Sequence, residues 1–331
     1  MQNYNKQAEK QSPGGLTNTI KSYLKTQAIP LIVLFLMVVV SAFLSPVFLS
    51  MANAQNLVVQ IALSMVVSMS MFIVILTGGI DLSVGSLVAL SGVLAAGFMR
   101  TMPVGWALLF TIAICTILGA FTGLIVAKLK IAPFIVTLGM LSFVSGLSYW
   151  YTQSSPISWR ALEGAHVITF IGSSKILGIP VLAVVWILMV VITMFIMRRT
   201  IIGRVMYGIG GNETAVKLSG IDISKWEIFP YAFSGLCCGL GGILLMSRLG
   251  VGSPTSGTGL ELDCIAAVVI GGTSFSGGIG NVSGVVIGVF ILGIINNILD
   301  LLNVPSYPQL MLKGAIIVLA VILSTIRERK Q

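Results

Sequence analysis

Long apolar stretches separated by short polar segments run along most of the chain. Each stretch is continuous and lacks the alternation of a half-buried strand, so the pattern predicts helices. Roughly 20 apolar residues are needed to cross a bilayer, and within lipid a helix satisfies its own backbone groups. The pattern therefore predicts an all-α polytopic membrane protein with about ten transmembrane helices. The predicted spans are 28–45, 55–77, 83–99, 105–127, 132–152, 179–197, 228–247, 263–276, 279–300 and 309–326, of which the eighth is the shortest.

The composition supports the membrane class. Of the 331 residues, 56% are hydrophobic and only 9% are charged, whereas a soluble domain carries about 25% charged residues. A net charge of +9 would also suit a nucleic-acid-binding protein. The Lys and Arg residues, however, gather in short segments between the apolar stretches, as membrane topology requires. We therefore expect a lipid bilayer, and no nucleic acid, as a partner.

The distribution of positive charge predicts the orientation. With a cytoplasmic N-terminus, the inner segments hold 14 Lys and Arg residues and the outer segments hold 4. Because positive charge stays on the cytoplasmic side, both termini are predicted to be cytoplasmic. The predicted organisation is a cytoplasmic tail at 1–27, a transmembrane domain at 28–326 with a cytoplasmic loop at 198–227 and an outer loop at 152–178, and a cytoplasmic tail at 327–331. The first apolar stretch has no clear cleavage site, and we expect it to be retained.

The sequence offers little for catalysis. It has one histidine, no cluster with metal-ligand spacing, no G-x-S-x-G motif and no G-x-x-x-x-G-K-[ST] phosphate loop. We therefore predict no catalytic residue, metal site or cofactor, and any ATP must be bound by another chain. Glycines four residues apart, such as Gly119 and Gly123, predict close helix packing. The four cysteines are predicted to be small packing residues: Cys115, Cys237, Cys238 and Cys264.

The segment TGGIDLSVGS, at 77–86, interrupts an apolar region in which Asp81 is the only ionisable side chain between positions 56 and 99. Gly78 and Gly79 are predicted to end one helix. Asp81 or Ser83 is predicted to cap the next, because a side-chain oxygen satisfies free N–H groups at a helix start. Two alternatives stay open for Asp81: a role in gating or solute contact, and proton coupling.

A second segment repeats this pattern. VILTGGIDLSVGSL, at 74–87, is similar to VVIGGTSFSGGIGNV, at 268–282, in its apolar run, glycine pair and small polar cluster. Interrupted helices in repeated units mark the substrate route of many transporters. The predicted span count places both segments at turns on the cytoplasmic side, and a miscounted span would place one nearer the midplane.

The cytoplasmic loop contains a predicted short helix. Asn212 is a good N-cap, Glu213 suits the first turn through the helix dipole, and Gly220 is a suitable C-terminal glycine. Two turns are marginal alone, so the helix needs a surface on which to pack. That surface is either a cytoplasmic partner or the membrane. The residues predicted to take part in coupling are Gly211, Asn212, Glu213, Ala215, Leu218, Ser219 and Gly220.

Three motifs together resemble the permease subunits of monosaccharide, ribose-type ABC importers: TGGIDLSVGS, YGIGGNETAVKLSGI at 207–221 and ELDCIAAVVIGGTSFSGGIGNVSG at 261–284. The resemblance extends from about 27 to 325. It implies a permease of a bacterial cytoplasmic (inner) membrane that works with an ATP-binding subunit, an extracytoplasmic sugar-binding protein and a second permease copy, as a homodimer. It also implies that the segment 211–220 is the coupling helix that fits the ATPase.

The resemblance further implies a route for a neutral sugar, which hydroxyl and amide groups would line. The candidates along this route and its helix breaks are Gly78, Gly79, Asp81, Ser83, Ser86, Thr273, Ser274 and Asn281. Outer segments at 152–178 and 248–263 are expected to contact the binding protein. The alternatives are a permease of the same fold for another small solute, such as a branched-chain amino acid or a signalling furanose, an ion-coupled secondary transporter, and a non-transporting membrane protein.

Overall fold

The computed structural model describes residues 16–328, and this part of the chain is almost entirely helical. The predicted tails therefore lie partly outside the described residues. The first helices are α1 (Leu16–Leu44), α2 (Met51–Gln60), α3 (Ala62–Leu76), α4 (Val84–Phe98), α5 (Val104–Leu129), α6 (Pro133–Thr152) and α7 (Ala165–Ser173). The later helices are α8 (Val181–Arg199), α9 (Ile201–Leu218), α10 (Ile223–Trp226), α11 (Ile228–Leu249), α12 (Leu260–Ile270), α13 (Val282–Leu301) and α14 (Ser306–Glu328). Two short antiparallel pairs join β1 (Ile157–Ser158) to β4 (Val251–Gly252) and β2 (Lys175–Ile176) to β3 (Ile179–Pro180).

The helices confirm the all-α polytopic class. Within residues 16–328, five segments are long and apolar enough to cross a membrane: α5, α6, α8, α10 together with α11, and α13. Helices α2 and α3 are long and apolar enough only when taken together, and the pair bends by 41° at Ile61. The first helix differs from the prediction, because it already begins at Leu16, twelve residues before the apolar stretch.

Two predicted spans are shorter in the structure than a membrane crossing. Helix α4 has 15 residues and α12 has 11, which correspond to about 22 and 16 Å. The predicted span 263–276 is wrong at both ends. The helix starts three residues earlier and stops at Ile270, since Gly272 has a φ of +89° that no right-handed helix can contain. Helix α13 starts at Val282 instead of 279, where Asn281 caps it.

The short helices lie at the centre of the protein and start beside each other. Helix α4 runs alongside α11 and is buried over almost its whole length. The chain that follows β4 descends along α4, so that Gly252 packs on Gly92 and Gly257 on Gly85. The start of α12 thereby reaches the first turn of α4, well inside the protein. Both short helices consequently begin in the interior rather than at a membrane surface.

Glycines hold the central helices at short distance, as the spacing predicts. A β-carbon on Gly119 of α5 would collide with the Tyr231 carbonyl of α11 and would lie 3.0 Å from Cα of Gly235. One on Gly123 would lie 2.9 Å from the backbone of Ile228. All four cysteines are buried and free of disulfides, which confirms their predicted packing role. Helices α5, α6 and α8 instead expose many large apolar side chains, as lipid-facing helices do.

Candidate coupling and transport site

The two glycine-rich segments interrupt their helices in the same way. In the first, Gly78 has a φ of +80° and the Gly79 N–H donates to the Val74 carbonyl at 2.9 Å. In the second, Gly272 has a φ of +89° and the Thr273 N–H donates to the Val268 carbonyl at 3.2 Å. This is the Schellman pattern, in which a left-handed glycine lets the chain turn back to satisfy free carbonyls. The sequence similarity between the two segments is therefore also a structural one.

A side-chain oxygen accepts a backbone N–H next to the start of the helix that follows each break. The Asp81 side chain accepts hydrogen bonds at Oδ1 from the Ser83 N–H (2.9 Å) and the Ser83 hydroxyl (2.6 Å). Its Oδ2 accepts from the Ser234 hydroxyl of α11 at 2.7 Å. In the second segment, the Asn281 side chain accepts from the Gly284 N–H at 2.7 Å. Asp81 thus lies buried two residues before Ser83, the N-cap residue of α4, and ties the start of this helix to α11.

The two helix breaks contact each other beside Gly210, near the end of the main part of α9. The Gly278 N–H donates to the Leu76 carbonyl at 2.8 Å, which joins the second break to the end of α3. Gly210 lies directly against both: a β-carbon there would collide with the Leu76 carbonyl and with the Gly278 nitrogen. The Tyr207 hydroxyl donates to the Gly280 carbonyl at 2.9 Å. Partial burial raises the pKa of Tyr207, so this phenol keeps its proton.

The predicted coupling helix projects from this junction. Asn212 has φ −163° and ψ 95°, so it separates a last short helix at 213–218 from the main part of α9. Its side chain accepts from the Ala215 N–H at 2.9 Å, and Gly220 has a φ of +85°; both predicted ends of the helix are therefore present. The predicted coupling residues are all exposed, and Leu218 is 83% exposed. A large apolar side chain presented in this way indicates a contact surface.

A charged cluster connects this helix to its surroundings. The Lys130 amino group lies 2.9 Å from Glu227 and 3.9 Å from Glu213. These residues line an open cavity of about 260 Å³ together with Gly78, Gly79 and Tyr231. Exposed ion pairs contribute little stability. The arrangement nevertheless places the first helix break, the α5–α6 turn and the coupling helix around one groove.

The remaining predicted route residues lie in the packed interior. Ser83, Ser86, Thr273 and Ser274 are all buried, and Asn281 is partly buried. The Ser86 hydroxyl donates to the Ser83 carbonyl at 2.8 Å, a bond within the first turn of α4. Thr273 Oγ1 is buried without a hydrogen-bond partner among the described residues. In this conformation these side chains position the helix breaks, and none of the four lies on an open surface.

The two predicted outer segments are joined to each other. Strand β1 pairs with β4, with Ile157 opposite Gly252. The Trp159 indole, buried at 4% exposure, donates to the Met246 carbonyl at 3.0 Å. The two segments thus form one surface at the end of α11. The part of the second segment near Gly257 is not on this surface, because it packs against α4.

Sequence reasoning missed the residues that connect these parts: Tyr207, Gly210, Ser234 and Lys130. The Gly210–Gly211 pair was the one available signal, because two adjacent glycines next to an apolar run indicate close backbone approach. The partners of the other three are 73 or more positions away in sequence, so local patterns do not reveal them.

Comparison with known proteins identifies the class. A family described as "Branched-chain amino acid transport system / permease component" matches residues 53–321. The chain therefore belongs to this family of membrane permease components. It is 40% identical over 315 residues to the ribose import permease protein RbsC of Escherichia coli K12, covering 94% of this chain and 97% of that protein. It is 43% identical over 296 residues to RbsC of Bacillus subtilis 168, with 89% and 91% covered.

A permease named for another sugar is also similar. The galactose/methyl galactoside import permease protein MglC of Escherichia coli K12 is 35% identical over 334 residues, covering 92% of this chain and 96% of that protein. No solved structure gives a significant match.

We predict that Asp81→Ala lowers the stability of the protein by about 2 kcal/mol, because it leaves buried donors of Ser83 and Ser234 unpaired. Asp81→Asn keeps an acceptor oxygen and is expected to cost less than half of this. Thermal unfolding in detergent, followed by size-exclusion chromatography, measures both. Equal loss in the two variants would contradict the capping role.

We predict that Gly210→Ala uncouples ATP hydrolysis from transport, because the added methyl group forces the helix breaks away from α9. Gly211→Ala is the matched control, since a β-carbon at Gly211 meets no atom within 4 Å. In proteoliposomes, the first variant is expected to lower uptake per ATP hydrolysed by about tenfold, the effect of roughly 1.4 kcal/mol. Similar coupling ratios in the two variants would refute the junction.

Proposed function

We propose that this chain is the membrane-spanning permease subunit of an ABC importer that carries a monosaccharide inward. A single observation carries the proposal: the exposed, capped helix at 213–218 is attached through Gly210 to both helix breaks. A partner that moves this helix moves the two interruptions in the membrane domain with it. Because the sequence has no phosphate loop, a separate ATP-binding subunit supplies the energy.

The contacts support the proposed topology of ten spans with both termini cytoplasmic in a bacterial inner membrane. Interactions at helix ends join segments that the charge distribution places on the same side. Lys130 and Glu227 pair on the predicted inner side, and Ile157 and Gly252 pair on the outer side. Lys175 donates to Gln55 at 2.6 Å, which again joins two outer segments. Loss of any one span from 55–77 to 228–247 would separate at least one of these pairs across the bilayer. This topology gives a cytoplasmic tail at 1–27, a transmembrane domain at 28–326 and a cytoplasmic tail at 327–331.

The sugar class rests on the relatives. The family description refers to branched-chain amino acids, so family membership alone leaves the solute open. The similar permeases at 35–43% identity, however, carry names of ribose and galactose transport. A neutral sugar also agrees with a membrane domain whose buried carboxylate, Asp81, is already occupied by three donors. Ribose or a related pentose or hexose is therefore the proposed solute.

The proposed mechanism is alternating access by a pair of permeases. Nucleotide binding closes the ATPase pair, displaces the two coupling helices and shifts each permease between outward- and inward-open states. A ligand shifts such an equilibrium only through different affinity for the two states. The sugar-binding protein would dock on the outer surface built by β1, β4 and the Trp159 loop. The contacts of Asp81 with Ser83 at the start of α4 and with Ser234 of α11 support a role in positioning α4 over proton coupling.

The test is uptake by the complete complex. The permease is purified with the ATP-binding subunit that associates with it, reconstituted with its binding protein, and assayed with radiolabelled ribose, galactose and leucine. We expect ATP-dependent sugar uptake and none of leucine. Leucine uptake would support the amino-acid alternative, and uptake driven by a proton gradient without the ATPase would overturn the proposal.

We predict that Leu218→Asp and Ala215→Asp prevent binding of the ATP-binding subunit while the permease stays folded. An acidic side chain replaces an apolar one on a surface that otherwise becomes buried in the complex, with a loss of affinity of about 100-fold or more. Leu177→Asp is the matched control, because Leu177 is 98% exposed at the outer hairpin between β2 and β3. Co-purification on a tagged permease measures the effect. Retained binding in the α9 variants would disprove the assignment of the coupling helix.

A further inference from the structure

A row of polar side chains lies on one side of the membrane domain. On α2, Asn56 and Gln60 are four residues apart and share one helix face, and Ser64 follows four residues later on α3, beyond the bend at Ile61. On α13, Asn296 and Asp300 have the same spacing. None of the five is fully buried. Polar side chains at membrane depth face a protein interior or a water-filled space, because contact with lipid is costly.

Four polar residues from four helices line a small cavity at this face. Gln60, Ser64, Asp263 and Asn296 line it together with apolar residues such as Leu292. The cavity measures about 30 Å³, which is the volume of about one water molecule. It is therefore too small to enclose a sugar by itself. A sugar bound to these side chains would need a second surface opposite them.

Both carboxylates of this face have polar partners. The Lys313 amino group lies 2.9 Å from Asp263 Oδ2, and both side chains are about one quarter exposed. The Gln60 amide donates to Asp300 at 3.0 Å, and the Gln309 amide donates to the other oxygen of Asp300 at 3.1 Å. This face thus offers amide, hydroxyl and carboxylate groups: the charge of Asp263 is paired with Lys313, and Asp300 accepts from two neutral amides. Such groups donate to and accept from the hydroxyls of a neutral ligand.

The depth of this face agrees with a substrate route. Ser64 lies 12 residues before the end of α3, about 18 Å above the junction with the second break. The Cys264 thiol, in the first turns of α12, lies 4.0 Å from the Ser64 carbonyl. The cavity is thus level with the start of an interrupted helix, where transporters place their substrate sites.

We propose that Gln60, Ser64, Asp263 and Asn296 form a polar wall that binds a neutral polyhydroxylated ligand in transit, with a second copy of the chain as the opposite wall. This rests on the proposed importer function. It replaces the sequence-based candidates Ser83, Ser86, Thr273 and Ser274, which are buried. The side chains of the wall, with Asp263 already paired to Lys313, offer weak, replaceable hydrogen bonds to such a ligand.

The first test measures access of water and sugar to the wall. Asn296→Cys and Ser64→Cys are made with the four buried native cysteines retained, and the complete importer in proteoliposomes is treated with a charged, hydrophilic methanethiosulfonate reagent. Leu188→Cys is the control, since Leu188 is 56% exposed on an apolar face of α8. We expect labelling of the wall positions to be about tenfold faster than at 188, because a thiol in lipid is not ionised. The transported sugar is expected to slow it. Labelling no faster than at 188, or unaffected by sugar, would overturn the proposal.

The second test measures transport. Asn296→Leu and Ser64→Val are expected to lower sugar uptake by about tenfold, the loss of one hydrogen bond to the sugar, while ATP hydrolysis stimulated by the binding protein stays unchanged. Asn296→Gln is expected to restore part of the uptake, which separates ligand contact from folding. Unchanged uptake in both variants would refute the wall and leave the importer function intact. Failure of the unmodified complex to carry any sugar would instead refute the proposed function.

Discussion

The fold depends on how backbone groups are satisfied where a helix ends inside a membrane protein. Lipid offers no hydrogen bonds to a free carbonyl or N–H, so an interrupted helix must find its partners within the chain. Here the carbonyls are turned inward by left-handed Gly78 and Gly272, and the N–H groups are met by Asp81 and Asn281. The carbonyl of Leu76 accepts from the second break. Each interruption would be costly alone. The hydrogen bond from Gly278 to Leu76 joins the two and satisfies one backbone group of each.

These local solutions could be predicted from the sequence. A glycine pair followed by a small polar residue specifies a helix end and a new helix start within a few positions. The caps at Asn212 and Asn281 follow this rule, and so does Asp81, which binds the N–H of the N-cap residue Ser83. The left-handed Gly220 is a separate signal, a single glycine that ends a helix. Hydropathy predicted the membrane class because it, too, is a local property, read from a run of neighbouring residues. Helix α4 lies within one residue of the predicted span 83–99 at each end, whereas the extent of α12 could not be predicted, because it depends on a loop that descends along α4.

The route residues show a different limit. Serine and threonine were obvious candidates for sugar contact, but in helices their hydroxyls return to a carbonyl three or four positions earlier. Ser86 does so with Ser83, and Thr193 with Met189 at 2.8 Å. Such hydroxyls are satisfied without any ligand or water. The amides of Gln60 and Asn296 reach farther from the backbone, and they are therefore the better indicators of a wet surface. Composition alone does not separate these cases.

The contact between Gly210 and the two helix breaks has a consequence for how the permease and its ATP-binding subunit can evolve independently. Contact between Gly210 and the two breaks is made by main-chain atoms, so it depends on shape and not on side-chain identity. The surface at 213–218 lies beyond this joint and is exposed. Its side chains can consequently be replaced to match a different ATP-binding subunit while the packing of the membrane domain stays the same. Gly210 thus separates a short segment whose sequence can vary with the partner from a membrane domain whose sequence is constrained by its own packing.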